Sequence, residues 1–417
     1  MDSEVRKVAR AVDGDRLWRR LMAMAKIGAT PAGGVNRQAL SPEDRAARRR
    51  LVEWAWERGY DAGQDGAANL FLRRLGSEPD AAPVLIGSHL DSQPKGGRFD
   101  GAFGVLAAFE VLEALDDAGI ATGRPVEAVA WTNEEGSRFN PGAMGSAVFA
   151  RRMSLDEILP VVDWDGVPLA DALRDTLADL PEVPMRERGL VPAAFLETHI
   201  EQGPRLEAEG IPVGVVTGIQ GISNFQVEVI GAEAHAGTTP PKLRRDALKT
   251  AAAMVVALEE ALADPEDSVR FTVGRFDVTP GSPNTVPGHV RFTIDFRHPD
   301  PATIEHLTGR IEPVCRDIAG ACEVRVHRKR DVAPTTFDAA TVDLLRESAE
   351  GLGIAHMDMF SGAGHDAMQL AAVCPTAMVF APCKDGISHN EAESAKPGDL
   401  AAATRVLAAA TCALAQR

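Results

Sequence analysis

The chain has 417 residues, 45% of them hydrophobic, so it has material for two domains or for one large domain with an insertion, and it is neither disordered nor fibrous. Its 60 acidic and 44 basic side chains leave a formal charge of −16, which would repel a phosphate backbone and excludes nucleic-acid binding through a basic face. The five cysteines, Cys315, Cys322, Cys374, Cys383 and Cys412, form no C-x-x-C pair, and neither a signal-peptide run nor a segment of membrane-span length stands out, which points to a cytoplasmic protein with no membrane partner.

Ser41-Pro42-Glu43-Asp44 supplies a cap, a proline at the first helical position and an acid three residues after the cap, predicting a helix over 45–58 with Leu51, Trp54 and Ala55 on one face. Ala82 to Gly87 is a short apolar run that reads as a buried strand delivering His89 at its C-terminal end. A loop with Gly96, Gly97 and Gly101 leads into a helix from Val105 to about Leu115. Val126 to Trp131 is the next strand, and it ends in Thr132-Asn133-Glu134-Glu135. Two strands separated by a helix, each with polar groups at its C-terminal end, predict an α/β sheet with its site on that edge.

From about Gly221 the pattern changes. Residues 225–230 alternate as a half-exposed strand, an alanine-rich helix runs from Arg245 to about Leu262, and 269–273 and 290–296 are alternating strands. A helix from Pro301 toward Ile318 and a strand over 323–327 complete the order β-α-β-β-α-β of a ferredoxin-like unit. A buried strand over 376–380 and a closing helix over 397–415 follow. The expected architecture is therefore α/β: a discontinuous catalytic domain, residues 1–214 and 333–417, with a central mixed sheet flanked by helices, and an inserted ferredoxin-like α+β domain over 215–332.

The chemistry-bearing residues fall at the ends of these strands. His89 and Asp91 stand two apart, so in extended geometry both side chains project the same way, and a carboxylate behind a ligating imidazole fixes its tautomer. Asp100, beyond the Gly96-Gly97 turn, can reach the same point. Glu134 and Glu135 are adjacent and diverge on an extended backbone, leaving one to bind metal and the other to take a proton from water. His199 and His389 arrive from distant segments. Singly, His-x-Asp is more often a hydrogen-bonded pair and Glu-Glu a solvated face. As a set, three histidines and two or three carboxylates suit a pair of zinc-like ions bridged by one aspartate.

Gly87-Ser88-His89-Leu90-Asp91-Ser92-Gln93-Pro94, Gly97-Arg98-Phe99-Asp100-Gly101, Trp131-Thr132-Asn133-Glu134-Glu135-Gly136, His199-Ile200-Glu201-Gln202-Gly203-Pro204, Ala234-His235-Ala236-Gly237-Thr238-Thr239-Pro240 and Gly362-Ala363-Gly364-His365-Asp366-Ala367 occur in one order along the chain. This series resembles the amidase/hydantoinase-carbamoylase branch of the di-metal aminoacylase and carboxypeptidase superfamily, which includes N-carbamoyl-L-amino-acid hydrolases, β-ureidopropionases and allantoate amidohydrolases. The resemblance spans Gly28 to His389. It implies two divalent ions per subunit, zinc or else manganese, cobalt or nickel. His89, Asp100 and His199 would hold one ion and Asp100, Glu135 and His389 the other, with Glu134 the general base and Asp91 the carboxylate behind His89.

The inserted domain would be a lid and dimerisation domain of a homodimer, with His235 reaching across the interface to the scissile carbonyl oxygen. Asn284 and Arg297 would hold the carboxylate of a small-molecule substrate, an arginine fork being suited to two hydrogen bonds on one carboxylate. Gln202 and the backbone at Gly362 and Gly364 would complete the pocket. Without these motifs, His235 between two alanines reads as a turn residue and Arg297 as a surface strand residue. The chain departs from the pattern at Pro241, where methionine is usual, and at Ser223-Asn224, where bulkier or basic residues are common.

The expected activity is cleavage of the carbamoyl C–N bond of an N-carbamoyl amino acid or 3-ureidopropionate. Alternatives are allantoate hydrolysis, N-acyl amino acid or dipeptide hydrolysis, and a non-catalytic binding protein on the same scaffold. The last is disfavoured because Glu134 and every ligand position are filled.

Overall fold

In the computed structural model, which describes residues 2–187, 191–264 and 268–417, the strands in chain order are β1 (Asp61–Gln64), β2 (Leu70–Arg74), β3 (Val84–His89), β4 (Val126–Trp131), β5 (Ala194–Ile200), β6 (Val213–Ile219), β7 (Gly221–Ile230), β8 (Ala234–His235), β9 (Arg270–Thr272), β10 (Phe276–Thr279), β11 (Thr285–Val286), β12 (His289–His298), β13 (Glu323–Val332), β14 (Thr335–Thr336), β15 (His356–Ser361) and β16 (Thr376–Ala381). The chain divides into one unit of residues 1–217 and 336–417 and a second of Gly218–Thr335.

The first unit is built on a mixed sheet in the order β1-β2-β4-β3-β5-β16-β6-β14, with β15 paired to β6. Its centre is parallel: β3 pairs with β4 and β5, and β5 with β16. Every residue of these four strands is buried, which is why β3, β4 and β16 read as apolar runs and not as alternations; β5, with Glu197, Thr198 and His199, does not read as a strand in the sequence. Antiparallel strands β2 and β6 flank them. The register sets His89 opposite Trp131 and His199 opposite Phe380, so the C-terminal ends of all four central strands open on one edge.

Helix Ala102–Asp117 connects β3 to β4 and is buried from Ala102 to Leu115. Helices Ser3–Ala11, Gly14–Met24 and Pro397–Ala415 pack on it. The Arg16 guanidinium ties the second of these down, donating to Glu110 at 2.6 and 2.7 Å and to Asp117 at 2.7 Å. Contrary to the sequence expectation, Pro397–Ala415 is long and apolar enough to cross a membrane, but 67% of its apolar window is buried inside the protein, where it serves as a core helix. Helix Pro42–Glu57 starts as its signal predicts: Ser41 Oγ accepts the Asp44 N–H at 3.2 Å. Asp44 turns inward instead of back to the cap, accepting the Leu40 N–H and pairing with buried Arg48, both at 2.9 Å.

In the second unit the sheet order is β10-β12-β7-β13, with β9 further along the same edge of β12, and all pairings are antiparallel. With β9 and β12 as its second and third strands the order follows the expected β-α-β-β-α-β, but the sheet has a fifth strand, β10, and the β8–β11 ribbon stands apart from it. Phe225, Val227 and Val229 on β7 and Val290, Phe292, Ile294 and Phe296 on β12 face helix Ala247–Leu262 in one core. The single helix expected over 301–318 is two, Pro301–Thr308 and Ile311–Ile318. Pro313 cannot donate to a carbonyl of the preceding turn, and Gly309 lowers the cost of the break.

Candidate metal centre

His89 ends β3 and His199 lies near the end of β5, so adjacent parallel strands present two imidazoles to one point. Their tautomers are set by backbone. His89 Nδ1 lies 2.9 Å from the Asp91 carbonyl oxygen and His199 Nδ1 2.9 Å from the Ile200 carbonyl oxygen. A carbonyl only accepts, so each Nδ1 carries a hydrogen and Nε2 is the ring atom left to ligate once any proton on it is lost. Both Nε2 atoms face Asp100 Oδ1, at 3.6 and 3.2 Å. The other oxygen, Asp100 Oδ2, is 3.5 Å from His389 Nε2, which is in turn 3.3 Å from Glu135 Oε2. The result is two groups, His89–Asp100–His199 and Asp100–Glu135–His389, with ligand atoms mutually within 4.8 Å and one aspartate oxygen in each.

Lone pairs and carboxylates converging in a buried place repel one another unless a cation lies among them, and imidazole with carboxylate oxygen is a donor set suited to first-row divalent ions. The electrostatics of the metal-free chain show the same demand. Burial opposes charge on His199, but the hydrogen bond and charge of Asp100 outweigh it and push the imidazole up to about 9. Burial drives His89 down to about 4. For Asp100, burial is outweighed by His199 and His89, which hold its carboxyl far below the usual range.

Glu134 and Glu135 do diverge. Glu134 Oε2 lies 3.5 Å from His89 Nε2, while Glu135 turns to His389. Burial, then the negative charges of Asp366 and Glu135, raise Glu134 well above the usual carboxyl range. Glu135 is raised by burial and by Asp100. The role expected of the Asp91 side chain is corrected. Its backbone carbonyl, not its carboxylate, meets His89; the carboxylate lies 3.8 Å from Nδ1 and accepts the N–H groups of Glu134 at 3.2 Å and Glu135 at 3.1 Å. The reason is geometric: the strand ends at His89, so the alternation that would align both side chains stops there.

Gln202, expected on substrate, has its amide nitrogen 2.9 Å from Asp100 Oδ2 and 3.2 Å from Ser388 Oγ, while its buried Oε1 has no partner among the described residues. A Cβ on Gly362 would meet open space, and Gly364 faces only Met368. His365 in the same loop is buried, its ring centre 4.6 Å from that of His199, and its Nε2 is 3.0 Å from Ser361 Oγ. Three partners were not anticipated in these roles. Gln93 donates to Glu135 Oε2 at 2.7 Å, buried Glu197 accepts from Ser88 at 2.7 Å and from the Ala367 N–H at 2.9 Å, and buried Asp366 adds its charge to Glu134. Gln93 and Asp366 sit inside quoted motifs, but only folding reveals which neighbour each one meets.

His235, Asn284 and Arg297 belong to the second unit. His235 pairs with Thr285 in the β8–β11 ribbon, which places Asn284 beside it; the Ala236 N–H donates to the Asn284 carbonyl at 3.0 Å. His235 Nδ1 accepts from the N–H groups of Gly237 at 3.0 Å and Thr238 at 3.2 Å, so its hydrogen is on Nε2 of an exposed ring, ready to donate. Arg297, expected to hold a substrate carboxylate, donates through Nε to Asp295 Oδ1 at 2.8 Å, and Asn224 on β7 donates to Asp295 Oδ2 at 3.0 Å.

Residues 85–412 match the family model described as peptidase family M20/M25/M40. An N-carbamoyl-L-amino-acid amidohydrolase of Rhizobium meliloti is 42% identical over 390 residues, 92% of each chain. An allantoate amidohydrolase of Escherichia coli is 35% identical over 387 residues, 92% of this chain and 94% of that one. A solved amidase of the hydantoinase/carbamoylase family from Burkholderia multivorans superposes with a TM-score of 0.92 at 46% identity, covering 97% and 98% of the two chains. The chain therefore belongs to peptidase family M20/M25/M40 and is a hydrolase.

Proposed function

We propose that the protein is a metal-dependent amidohydrolase that cleaves the carbamoyl C–N bond of an N-carbamoyl amino acid or 3-ureidopropionate. The observation that carries this reading is the pair of ligand groups sharing Asp100, with Glu134 beside them and in neither group. Relatives named for N-carbamoyl-L-amino acids at 42% and 38% identity support the carbamoyl substrate over allantoate. Divalent ions held by His89, Asp100 and His199 and by Asp100, Glu135 and His389 would acidify a water and polarise the scissile carbonyl.

Around that chemistry the protein's own groups do the rest. Glu134, whose buried and negatively charged surroundings raise its affinity for protons, takes a proton from the attacking water and hands it to the leaving nitrogen. The unpartnered Oε1 of Gln202 suits an N–H of the amide. Nε2–H of His235, supplied by the partner in a homodimer, donates to the oxygen where negative charge develops. Asn284 and Arg297 take the substrate carboxylate, with Asp295 and Asn224 presenting the guanidinium. One water and one carbamoyl amino acid give the amino acid, ammonia and carbon dioxide. The residues 215–332 act as lid and dimerisation domain, and the enzyme works in the cytoplasm.

The test is a panel of 3-ureidopropionate, N-carbamoyl-L-amino acids, allantoate and N-acetyl amino acids, offered to chelated protein reloaded with zinc or manganese, with amine and ammonia both followed. Release of ammonia and amino acid from carbamoyl substrates is expected. Turnover of allantoate or of N-acetyl compounds alone would overturn the substrate assignment.

A further inference from the structure

Glu393 has no part in the chemistry above, yet its buried carboxylate sits where two loops meet that are 294 residues apart in sequence. Its Oε1 accepts the Phe99 N–H at 2.8 Å and the Asp100 N–H at 3.2 Å. Its Oε2 is 3.2 Å from Ser388 Oγ, and that hydroxyl donates to Asp100 Oδ2 at 2.7 Å. Space for the carboxylate exists because residue 97 is glycine: a Cβ there would lie 1.9 Å from the Glu393 carboxyl carbon. A third segment touches both loops: Val35 exchanges backbone hydrogen bonds with Gly96, and Thr30 donates to Glu391.

The two ligand groups are held differently. His89 and His199 are fixed by β3 and β5, whereas His389 is half exposed, lies in no strand and has a left-handed φ of 53° that non-glycine residues seldom adopt. We infer that Glu393 is a positioning residue that sets the spacing of Asp100 and His389, and so helps to assemble the Asp100–Glu135–His389 group from loops far apart in sequence. It touches no proposed ligand atom and works through the backbone of Asp100 and the hydroxyl of Ser388. The inference rests on reading the centre as one that binds two ions.

The experiment measures zinc per subunit, and the affinity of each ion by competition with a chelator, on the full chain. Glu393→Ala is expected to keep one ion at the native affinity and to bind the other about 10- to 100-fold more weakly, the usual scale for losing a group that orients ligands. Glu393→Gln should restore it, because the amide oxygen accepts the same N–H groups and the amide nitrogen can donate to Ser388. Gly97→Ala, which displaces the carboxylate with Glu393 still present, should reproduce the selective loss and covers the case in which Glu393→Ala does not fold. Equal weakening of both ions, or native affinity for both in Glu393→Ala and Gly97→Ala, would overturn the inference. A native protein that binds no zinc would overturn the two-ion reading itself, and this inference with it.

Discussion

At the scale of single residues, the adjacent glutamates show how one backbone turn separates two roles. Strand β4 ends at Trp131, Asn133 then turns the chain in left-handed conformation at φ 55°, and the Asp91 carboxylate accepts the N–H groups of both Glu134 and Glu135. Held from behind, the Glu134 side chain turns toward His89 and the Glu135 side chain toward His389. Glu134→Gln keeps the shape but cannot accept a proton, so kcat should fall by about 10²- to 10⁴-fold with metal content unchanged. Near-normal turnover in that variant, with zinc measured in the same sample, would remove Glu134 from the role of base. The identity of these glutamates was legible in the sequence because their motif is local. The job of Asp91 was not, since whether its carboxylate or its carbonyl meets His89 depends on where the strand stops.

At the scale of elements, the centre depends on how closely helix Ala102–Asp117 approaches the ends of β3 and β5. Gly101 precedes this helix at φ 61°, its N–H donates to His199 Nε2 at 3.1 Å, and a Cβ on it would lie 2.3 Å from the His89 ring. No side chain can share that space. Gly101→Ala is therefore expected to push His89 aside and cost the ion of the His89–Asp100–His199 group, while circular dichroism stays native. Retention of two zinc ions per subunit in Gly101→Ala would show that the ring does not need the clearance. Strands β3, β4 and β16 and the closing helix were readable from apolar runs. The break between Pro301–Thr308 and Ile311–Ile318 was not, because apolar spacing continues across it while the backbone geometry does not.

At the scale of the whole molecule, the sheet edge gathers more buried carboxylates than a metal-free chain can keep ionised. Burial, joined by the charge of Asp44 for Asp91 and of Asp100 for Glu393, holds Asp91, Glu393 and Glu197 each up to about 7. A carboxyl whose folded value is raised above its unfolded value of roughly 4 binds protons better when folded, so its contribution to stability is present at low pH and is lost as pH rises toward the folded value. The chelated protein should therefore show a Tm that falls from about pH 4 to about pH 7, with zinc reversing most of the loss. A flat Tm across that window in chelator would contradict the assignment of these groups as buried and neutral. The proposed homodimer makes a separate demand. If His235 acts across the interface, mixing inactive His235→Ala with inactive Glu134→Gln under conditions of subunit exchange should recover part of the activity, up to about a quarter for random pairing in which one site of each heterodimer is intact. No recovery with exchange verified would place both groups in one chain.

By itself the sequence supplied the candidate ligand types, their order along the chain, the parallel strands that carry the first histidine and the paired glutamates, and the broad β-α-β-β-α-β order of the second unit. These features are local, written in runs, caps and short motifs that each stay within a few residues. Tertiary structure alone decided the partners: which Asp100 oxygen serves which group, that backbone carbonyls set both imidazole tautomers, that Gln93 holds Glu135, and that Glu393 joins loops 294 residues apart. The physical reason is that a hydrogen bond or a ligand contact is fixed to within a few tenths of an ångström, and only the packing of a nine-stranded sheet and its helices brings distant chain segments to that tolerance.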